Sequence, residues 1–454
     1  MRGFSETGDL TVGSTGRVLL RFAVPVFFSL LFQQLYSAAD SLIVGNTLGK
    51  EALAAVGSSN SLIGLLTGLV NGVAMGGSVV IARYFGAGNL EKVRRAIHTG
   101  VLAGFLAGAF ISVFGVLLSP AILRLMGTAP EVLPESIAYF RWYFAGGLSI
   151  MMYNVFRSIM AALGDSRTPL VYLIVSSVLN VVLDLFFIRR LGGGVGSAAV
   201  ATTLAQTVAV GLCLKHFLSG GSVCRLHWKE LRIDPETLKE ILRCGIPSGV
   251  QDSVISFANV LVQSNINSFG AVAMAACGAY NKLQGFVFLP ISSFAMALST
   301  FVGQNLGARQ YERAKRGARF GITVSCVGAE LIGVLTILFA APLMGLFTDS
   351  EEVIAIGVEQ IRIESMFYMF LAYAHCVAGV CRGAGKANVP MVIMLSVWCA
   401  FRILYITAAM HICHDIRLLF WAYPITWSIS DVIFARYYRR SDWLHGFEKA
   451  EATA

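Results

Sequence analysis

The sequence predicts an all-α polytopic membrane protein: twelve transmembrane helices in two six-helix lobes, related by a pseudo-two-fold axis along the membrane normal. Three observations predict it. Hydrophobic residues make up 56% of the chain and charged ones only 13%, with a mean hydropathy of +0.70, far from the composition of a water-soluble domain. The chain holds twelve apolar runs of the roughly 20 residues that a helix needs to cross a bilayer. Finally, the first half of the sequence is written again in the second. Gly86-Ala87-Gly88-Asn89-Leu90-Glu91-Lys92-Val93-Arg94-Arg95 returns in register as Gly307-Ala308-Arg309-Gln310-Tyr311-Glu312-Arg313-Ala314-Lys315-Arg316. The same interval separates Gly57 from Gly278, Asn60 from Asn281, Gly164 from Gly385 and Pro169 from Pro390, and one residue more separates Pro25 from Pro247. An even number of helices per repeat makes both halves enter the membrane from the same side, which sets the axis along the normal and a cleft between the halves.

The first half supplies the runs Phe22 to Val44, Leu53 to Ile81, Ile97 to Leu118, Ile137 to Leu163, Pro169 to Ile188 and Val195 to Phe217. The second supplies Gly245 to Phe269, Ala273 to Phe301, Phe320 to Ala340, Ile354 to Val380, Val389 to His411 and Leu418 to Tyr437. Backbone polar groups in lipid must be satisfied within the element, and the period-two alternation of a barrel is absent, so the runs are helices. The expected division is 1–217 as N-lobe, 218–244 as a cytoplasmic linker, 245–438 as C-lobe and 439–454 as a cytoplasmic tail. In the first helix Pro25 deletes a backbone hydrogen bond and marks a hinge. In the linker, Ile233-Asp234-Pro235-Glu236-Thr237-Leu238-Lys239 predicts an Asp-capped, Pro-started short helix lying on the cytoplasmic surface.

The net charge of +9 is not a nucleic-acid signature, because the basic residues gather in alternate loops: Lys92, Arg94 and Arg95; Arg225, Lys229, Arg232, Lys239 and Arg243; Arg309, Arg313, Lys315, Arg316 and Arg319. The positive-inside rule puts these loops and both termini in the cytoplasm. Opposite loops carry Glu131, Glu135, Asp349, Glu351 and Glu352, and only Arg189 and Arg190 dissent. Met1 to Gly16 is polar and Gly-rich and does not read as a signal peptide. The nine cysteines are scattered and read as small apolar packing residues. His411-Ile412-Cys413-His414-Asp415 is read as a polar loop at a helix end rather than a metal site.

No Gly-rich loop ends in Gly-Lys followed by a hydroxyl residue, since Gly49-Lys50-Glu51 and Gly385-Lys386-Ala387 lack it, so no primary ATPase is visible. The seven histidines are not spaced for a zinc enzyme, and no enzyme is expected. Repeats in a strongly apolar chain are instead the mark of many secondary transporters. An ionised side chain at mid-bilayer costs several kcal/mol, so charges inside the spans are the functional candidates. Asp40 and Asp184 each lie four residues before the end of a span rising outward, roughly 6 Å below the boundary at 1.5 Å per residue. Asn180 is one turn below Asp184, and descending helices bring Tyr139 and Thr202 to the same outer half. These oxygens suit a proton or a sodium ion; the competing reading is of snorkelling helix-end carboxylates. Gln34 and Asn154 are candidates for substrate contact or for helix–helix hydrogen bonds. Asp252, Lys282, Glu330, Glu364 and Arg402 in the second half read as structural pairs, and Met151, Met152, Phe286, Phe288 and Met296 as packing or lipid-facing residues.

Over nearly its whole length the chain resembles the MATE (multidrug and toxic compound extrusion) family. The resemblance is carried by Pro25 with Asp40, Gly86-Ala87, Gly164-Asp165-Ser166-Arg167-Thr168-Pro169, Asn180-Val181-Val182-Leu183-Asp184, Gly196-Ser197-Ala198-Ala199-Val200-Ala201-Thr202 and Val302-Gly303-Gln304-Asn305-Leu306-Gly307-Ala308. It implies a twelve-helix exporter in the cell (cytoplasmic) membrane. Such a protein exchanges organic cations or other amphipathic compounds for protons or sodium, without a cofactor. It also assigns coupling to Tyr139, Asn180, Asp184, Thr202 and Asp40, with sodium, if used, at Asp40, Asn180, Asp184 and Thr202. One position departs: where the family often has Arg before the Gly-Asp, this chain has Ala161, though Arg382 keeps it in the second half. The alternative is a flippase for lipid-linked precursors, expected to need a cationic cleft; the acidic N-lobe cluster favours cationic cargo. A monomer in the lipid bilayer is expected, with small molecules as its partners.

Overall fold

The computed structural model describes residues 8–48, 68, 71–125, 133–219 and 225–445. These residues are helical apart from short joints, with no strand among them. The helices are α1 (Thr15–Leu48), α2 (residues 71–86), α3 (Leu90–Leu125), α4 (Leu133–Ala145), α5 (Gly147–Ala162), α6 (Arg167–Asp184) and α7 (Val195–Ser219). There follow α8 (Pro235–Asn267), α9 (Ala271–Gly307), α10 (Tyr311–Leu338), the short α11 (Ala340–Gly345), α12 (Glu351–Glu364), α13 (Tyr368–Gly383), α14 (Asn388–Met394), α15 (Arg402–Ile412) and α16 (Ile416–Arg440). Gly57, Asn60, the Gly49-Lys50-Glu51 candidate, Glu131 and most of the second predicted span lie outside the described residues.

Nine described helical stretches are long and apolar enough to cross a membrane. The other three predicted runs are not among these. The second is only partly described. The fourth is broken at Gly146 into α4 and α5, neither of which is long enough alone. The seventh lies in α8, whose apolar stretch is diluted by Gln251, Asp252, Gln263 and Asn265. The linker prediction needs correction: Asp234 does cap and Pro235 does start a helix, but it is not a short surface helix. It runs on without a break through Pro247 to Asn267, because Gly245-Ile246 supplies no competing cap and Pro247 kinks rather than stops it.

The backbone repeats as the sequence does. After α2 and α9 the chain turns through left-handed residues at equivalent places, Gly88 (φ 69°) and Arg309 (φ 57°). The amides of Asn89 and Gln310 close the two turns on Tyr84 and Asn305. A non-glycine residue tolerates this conformation only at a cost of about 1–2 kcal/mol, so the turn geometry is imposed by the two flanking helices. The same holds for Gly164 (φ 82°) and Gly385 (φ 72°), which end α5 and α13.

Contacts divide the chain into two compact units: Met1–Asp9 with Phe28–Gly249, and Leu10–Phe27 with Val250–Ala454. α1 and α8, the repeat counterparts, both change unit along their length, two residues after Pro25 and two after Pro247. In the first unit α5 is the central element. Its Met151, Met152, Val155, Phe156, Ile159 and Met160 are buried against Ile81, Ile97, Cys213 and Phe217, so Met151 and Met152 are core residues. In the second unit α9, α10 and α13 form the packed centre, with Ala295, Leu298, Phe301, Ala374 and Val377 buried. The eight described cysteines are free, and all but Cys326 and Cys413 are buried.

Candidate ion-coupling site

The first unit gathers the predicted coupling residues from four helices. The α4–α7 pair is drawn close at the break in the fourth span: a Cβ on Gly146 would lie 2.1 Å from Thr203 Oγ1. That hydroxyl donates instead to the Trp142 carbonyl at 3.4 Å, just before the break. This approach holds α7, with Thr202 next to Thr203, against α4, whose Tyr139 lies about two turns before the break. α6 ends on Asp184, after which the chain loosens into a π-helical turn (Leu185–Arg190). Such turns often accompany functional sites because they free backbone and re-aim side chains.

Asp40 from α1 and Asp184 from α6 bring their carboxyl groups within interaction range of each other. Both are buried, Asp184 completely. Two carboxylates facing each other in a buried site repel unless a proton or a cation stands between them. Asn180, also buried, satisfies its neighbours in one orientation: Nδ2 donates to Asp184 Oδ2 at 3.0 Å while Oδ1 accepts from Thr202 N at 3.1 Å and Thr202 Oγ1 at 3.2 Å. Tyr139 lies against the cluster, within electrostatic range of Asp40 and Asp184. Asp40 Oδ1 and Asp184 Oδ1 are buried without a hydrogen-bond partner among the described residues. Thus Asp40, Tyr139, Asn180, Asp184 and Thr202 stand together, as the sequence places them. Sequence reasoning missed Tyr36, which hydrogen-bonds to Thr202 and faces Asp40. The signal was there, since Tyr36 precedes Asp40 by one helical turn.

Beside the cluster the first unit holds a polar cavity of about 310 Å³ lined by Gln33, Asn71, Tyr143, Met151, Asn154 and Arg157, among others. Tyr143 in its wall stacks on Tyr139 with ring centroids 6.2 Å apart, which joins the cavity to the carboxyl pair. Asn154 faces this cavity; from α1 the lining residue is Gln33, the neighbour of the predicted Gln34. Arg157, a charge inside the fourth predicted run, was not singled out from the sequence, nor was Asp431, buried in α16.

The second-half charges fall into different settings. Glu364 is fully buried, accepting from Tyr280 Oη at 2.9 Å and from Gln360 Nε2 at 2.8 Å. Arg402, buried in turn, lies within its electrostatic range and donates to Thr426 Oγ1 at 2.7 Å. Asp252 has Arg382 within electrostatic range. Glu330 accepts from the Met369 amide at 3.2 Å. Lys282 is exposed and makes no ion pair among the described residues. No group of three or more metal-ligating side chains occurs among the described residues. His414 stacks on Phe269 at 4.2 Å, and His411 bonds the Thr407 carbonyl.

Comparison with known proteins adds identity to this geometry. The MatE family model matches residues 25–186 and 247–406, one stretch in each half. The chain is 29% identical over 441 residues, 94% of each protein, to the Bacillus subtilis protein named Probable multidrug resistance protein YoeA. It is 25% identical over 348 residues to the FAD transporter of Shewanella oneidensis, covering 75% of this chain and 76% of that one. Among solved structures, a MOP superfamily transporter from Pyrococcus furiosus matches the fold with a TM-score of 0.91 at 23% identity, over 96% of this chain and 97% of that one. The chain is a multi-pass membrane protein of twelve helices in two six-helix lobes, and it belongs to the MatE family of multidrug and toxic compound extrusion transporters.

Proposed function

We propose that the protein is a secondary active exporter that moves amphipathic small molecules out of the cell in exchange for protons or sodium ions, with Asp40 and Asp184 as the coupling pair. The observation that carries this reading is the meeting of two buried carboxyl groups, each with an oxygen that has no hydrogen-bond partner among the described residues. Such a pair accepts or releases one cation as a unit, and spare carboxylate, amide and hydroxyl oxygens from Asn180 and Thr202 can ligate sodium equally well. Relatives named for multidrug resistance and for FAD transport support small-molecule cargo.

In this scheme both termini and the loop 86–96 face the cytoplasm, and the chain acts as a monomer. External protons or sodium fill the pair, which re-wires Asn180, Thr202, Tyr139 and Tyr36. Tyr143 passes that change to the cavity wall and cargo is released outward. Pro25 lacks the amide that would stiffen α1 and serves as its hinge. Purified protein in proteoliposomes, loaded with a fluorescent dye and given an imposed pH gradient or an imposed sodium gradient separately, tests the proposal. One gradient alone should drive uptake or exit of dye, and Asp40→Asn with Asp184→Asn should abolish it. Movement that needs neither gradient would refute ion coupling.

A further inference from the structure

Arg157 has a setting that neither the fold nor the coupling scheme uses. Among the described residues it has no carboxylate partner. Its Nη2 donates to Asn154 Oδ1 at 3.2 Å, and its Nε is buried without a partner. A guanidinium within a span costs several kcal/mol unless something compensates it. Snorkelling would compensate it by extension toward the near end of α5, which is Ala162, five residues on and roughly 7 Å away at 1.5 Å per residue. The side chain turns the other way. It reaches back one turn toward the start of α5 and lines the polar cavity with Gln33, Asn71 and Asn154.

Asn154 fixes this orientation. Its Nδ2 is committed to the Ile150 carbonyl at 3.1 Å, so its Oδ1 must face the guanidinium and holds one edge of it. The remaining N–H donors form the planar fork that matches the two oxygens of a carboxylate or phosphate. Tyr143 also lines the cavity; its ring face attracts a cation and its neighbour Tyr139 borders the acidic pair. We propose that the cavity binds an anionic group of its cargo at Arg157 and Asn154, so that the favoured cargo is an amphipathic acid or zwitterion bearing a carboxylate or phosphate. The acidic cluster alone had pointed to simple cations; Arg157 puts a positive charge in the cavity wall itself. The word cargo rests on the transport reading, whereas the binding preference does not.

Two dyes with one ring system isolate the point: rhodamine 110, which carries a free carboxylate, and rhodamine 123, its methyl ester. Fluorescence anisotropy on the purified full-length protein without any ion gradient should show rhodamine 110 bound at least about tenfold more tightly, the ratio that one charge-assisted hydrogen bond of about 1.5 kcal/mol gives. Arg157→Gln should erase the preference, Arg157→Lys should keep part of it, and Asp40→Asn with Asp184→Asn should leave it in place. No binding of rhodamine 110, equal affinity for acid and ester, or a preference that survives Arg157→Gln would overturn the inference. The acid-to-ester comparison on the unmodified protein decides the matter even if Arg157→Gln does not fold. Dyes bound with the acid preference but moved by neither gradient would sink the transport reading alone. Dyes transported without any preference would sink this inference alone.

Discussion

The two halves of the chain repeat one backbone pattern, but the Asp40–Asp184 pair of the first and Glu364 of the second are compensated in opposite ways. In the first half Asp40 and Asp184 face each other, Asn180 donates to Asp184, and one oxygen of each carboxyl group has no hydrogen-bond partner among the described residues. In the second half Glu364 is enclosed by donors from Tyr280 and Gln360 and faced by Arg402. Gln360 and Glu364 occupy the positions that Tyr139 and Tyr143 hold in the first half, and Tyr405 stands where the first half has Asp184. A carboxylate whose charge and lone pairs are met by fixed side chains has no reason to recruit an ion. A carboxyl pair with oxygens to spare does, so on the proposed reading the same scaffold would carry a structural charge in one half and an exchangeable one in the other.

The largest effect that could break this contrast is on transport itself. Asp40→Asn and Asp184→Asn should each lower gradient-driven export about tenfold or more, which needs only about 1.4 kcal/mol of lost coupling, with normal amounts in the membrane. Glu330→Gln, whose parent carboxylate only caps the Met369 amide, should keep most export. Comparable loss from all three, read as dye efflux per molecule of protein, would remove the asymmetry. The converse test concerns stability. Arg402→Gln removes the cation within range of Glu364 and the charged donor to Thr426 and should cost about 1.5–3 kcal/mol, the range for hydrogen bonds to a charged group, visible as a lower melting temperature of the purified protein. Glu364→Gln should cost less, since the amide can still accept from Tyr280. A melting temperature that Arg402→Gln leaves unchanged would mean that Glu364 is not compensated as described.

A smaller effect should appear in ligand binding. If protons and the cationic part of a cargo compete at the Asp40–Asp184 pair, affinity for a cationic dye should rise as pH rises from 5 to 8, because deprotonation restores negative charge beside the cavity. Sodium should lower it at fixed pH. Both dependences should vanish in Asp40→Asn with Asp184→Asn, and their survival there would place the competition elsewhere. Topology can be checked alongside: a cysteine at exposed Asn89 should resist membrane-impermeant labelling of intact cells, and strong labelling would invert the proposed orientation.

How much of this was open to inspection in the sequence depends on the kind of signal. Apolar length and the internal repeat give the spans, and two carboxylates at one predicted depth lead to the cluster, because helical rise converts position into depth. Tyr36 was missed although it sits one turn from Asp40, since a tyrosine in a span carries no cost that demands a partner. Arg157 was missed for a different reason: nothing in sequence says whether a basic side chain turns toward a helix end or a cavity. Gln33 rather than Gln34 lining the cavity is a matter of helix rotation, set by packing. The break at Gly146 divides a run that is apolar throughout, so hydropathy could not place it. It depends on Thr203 approaching from another helix.

The smallest predicted effect lies where the two halves differ at a helix start. α8 opens on Asp234, whose Oδ2 accepts from the Thr237 amide at 3.0 Å and from the Thr237 hydroxyl at 2.5 Å. Its repeat counterpart α1 has no acidic residue in its first turn. The two Thr237 bonds, helped by nearby Arg95 and Arg232, hold the Asp234 carboxyl below its ordinary value. A group lowered on folding contributes stability that is present above the ordinary Asp value near 3.9 and lost as pH falls through the folded one. Asp234→Ala should therefore cost about 0.5 kcal/mol at neutral pH, the low end for an N-cap because the site is open to solvent. The difference in melting temperature from the unmodified protein should shrink as the pH is taken down through 4. A difference that stays constant with pH would mean that the side chain stabilises α8 by packing or chain stiffness rather than by its charge. The start of α8 would then be no better capped than that of α1.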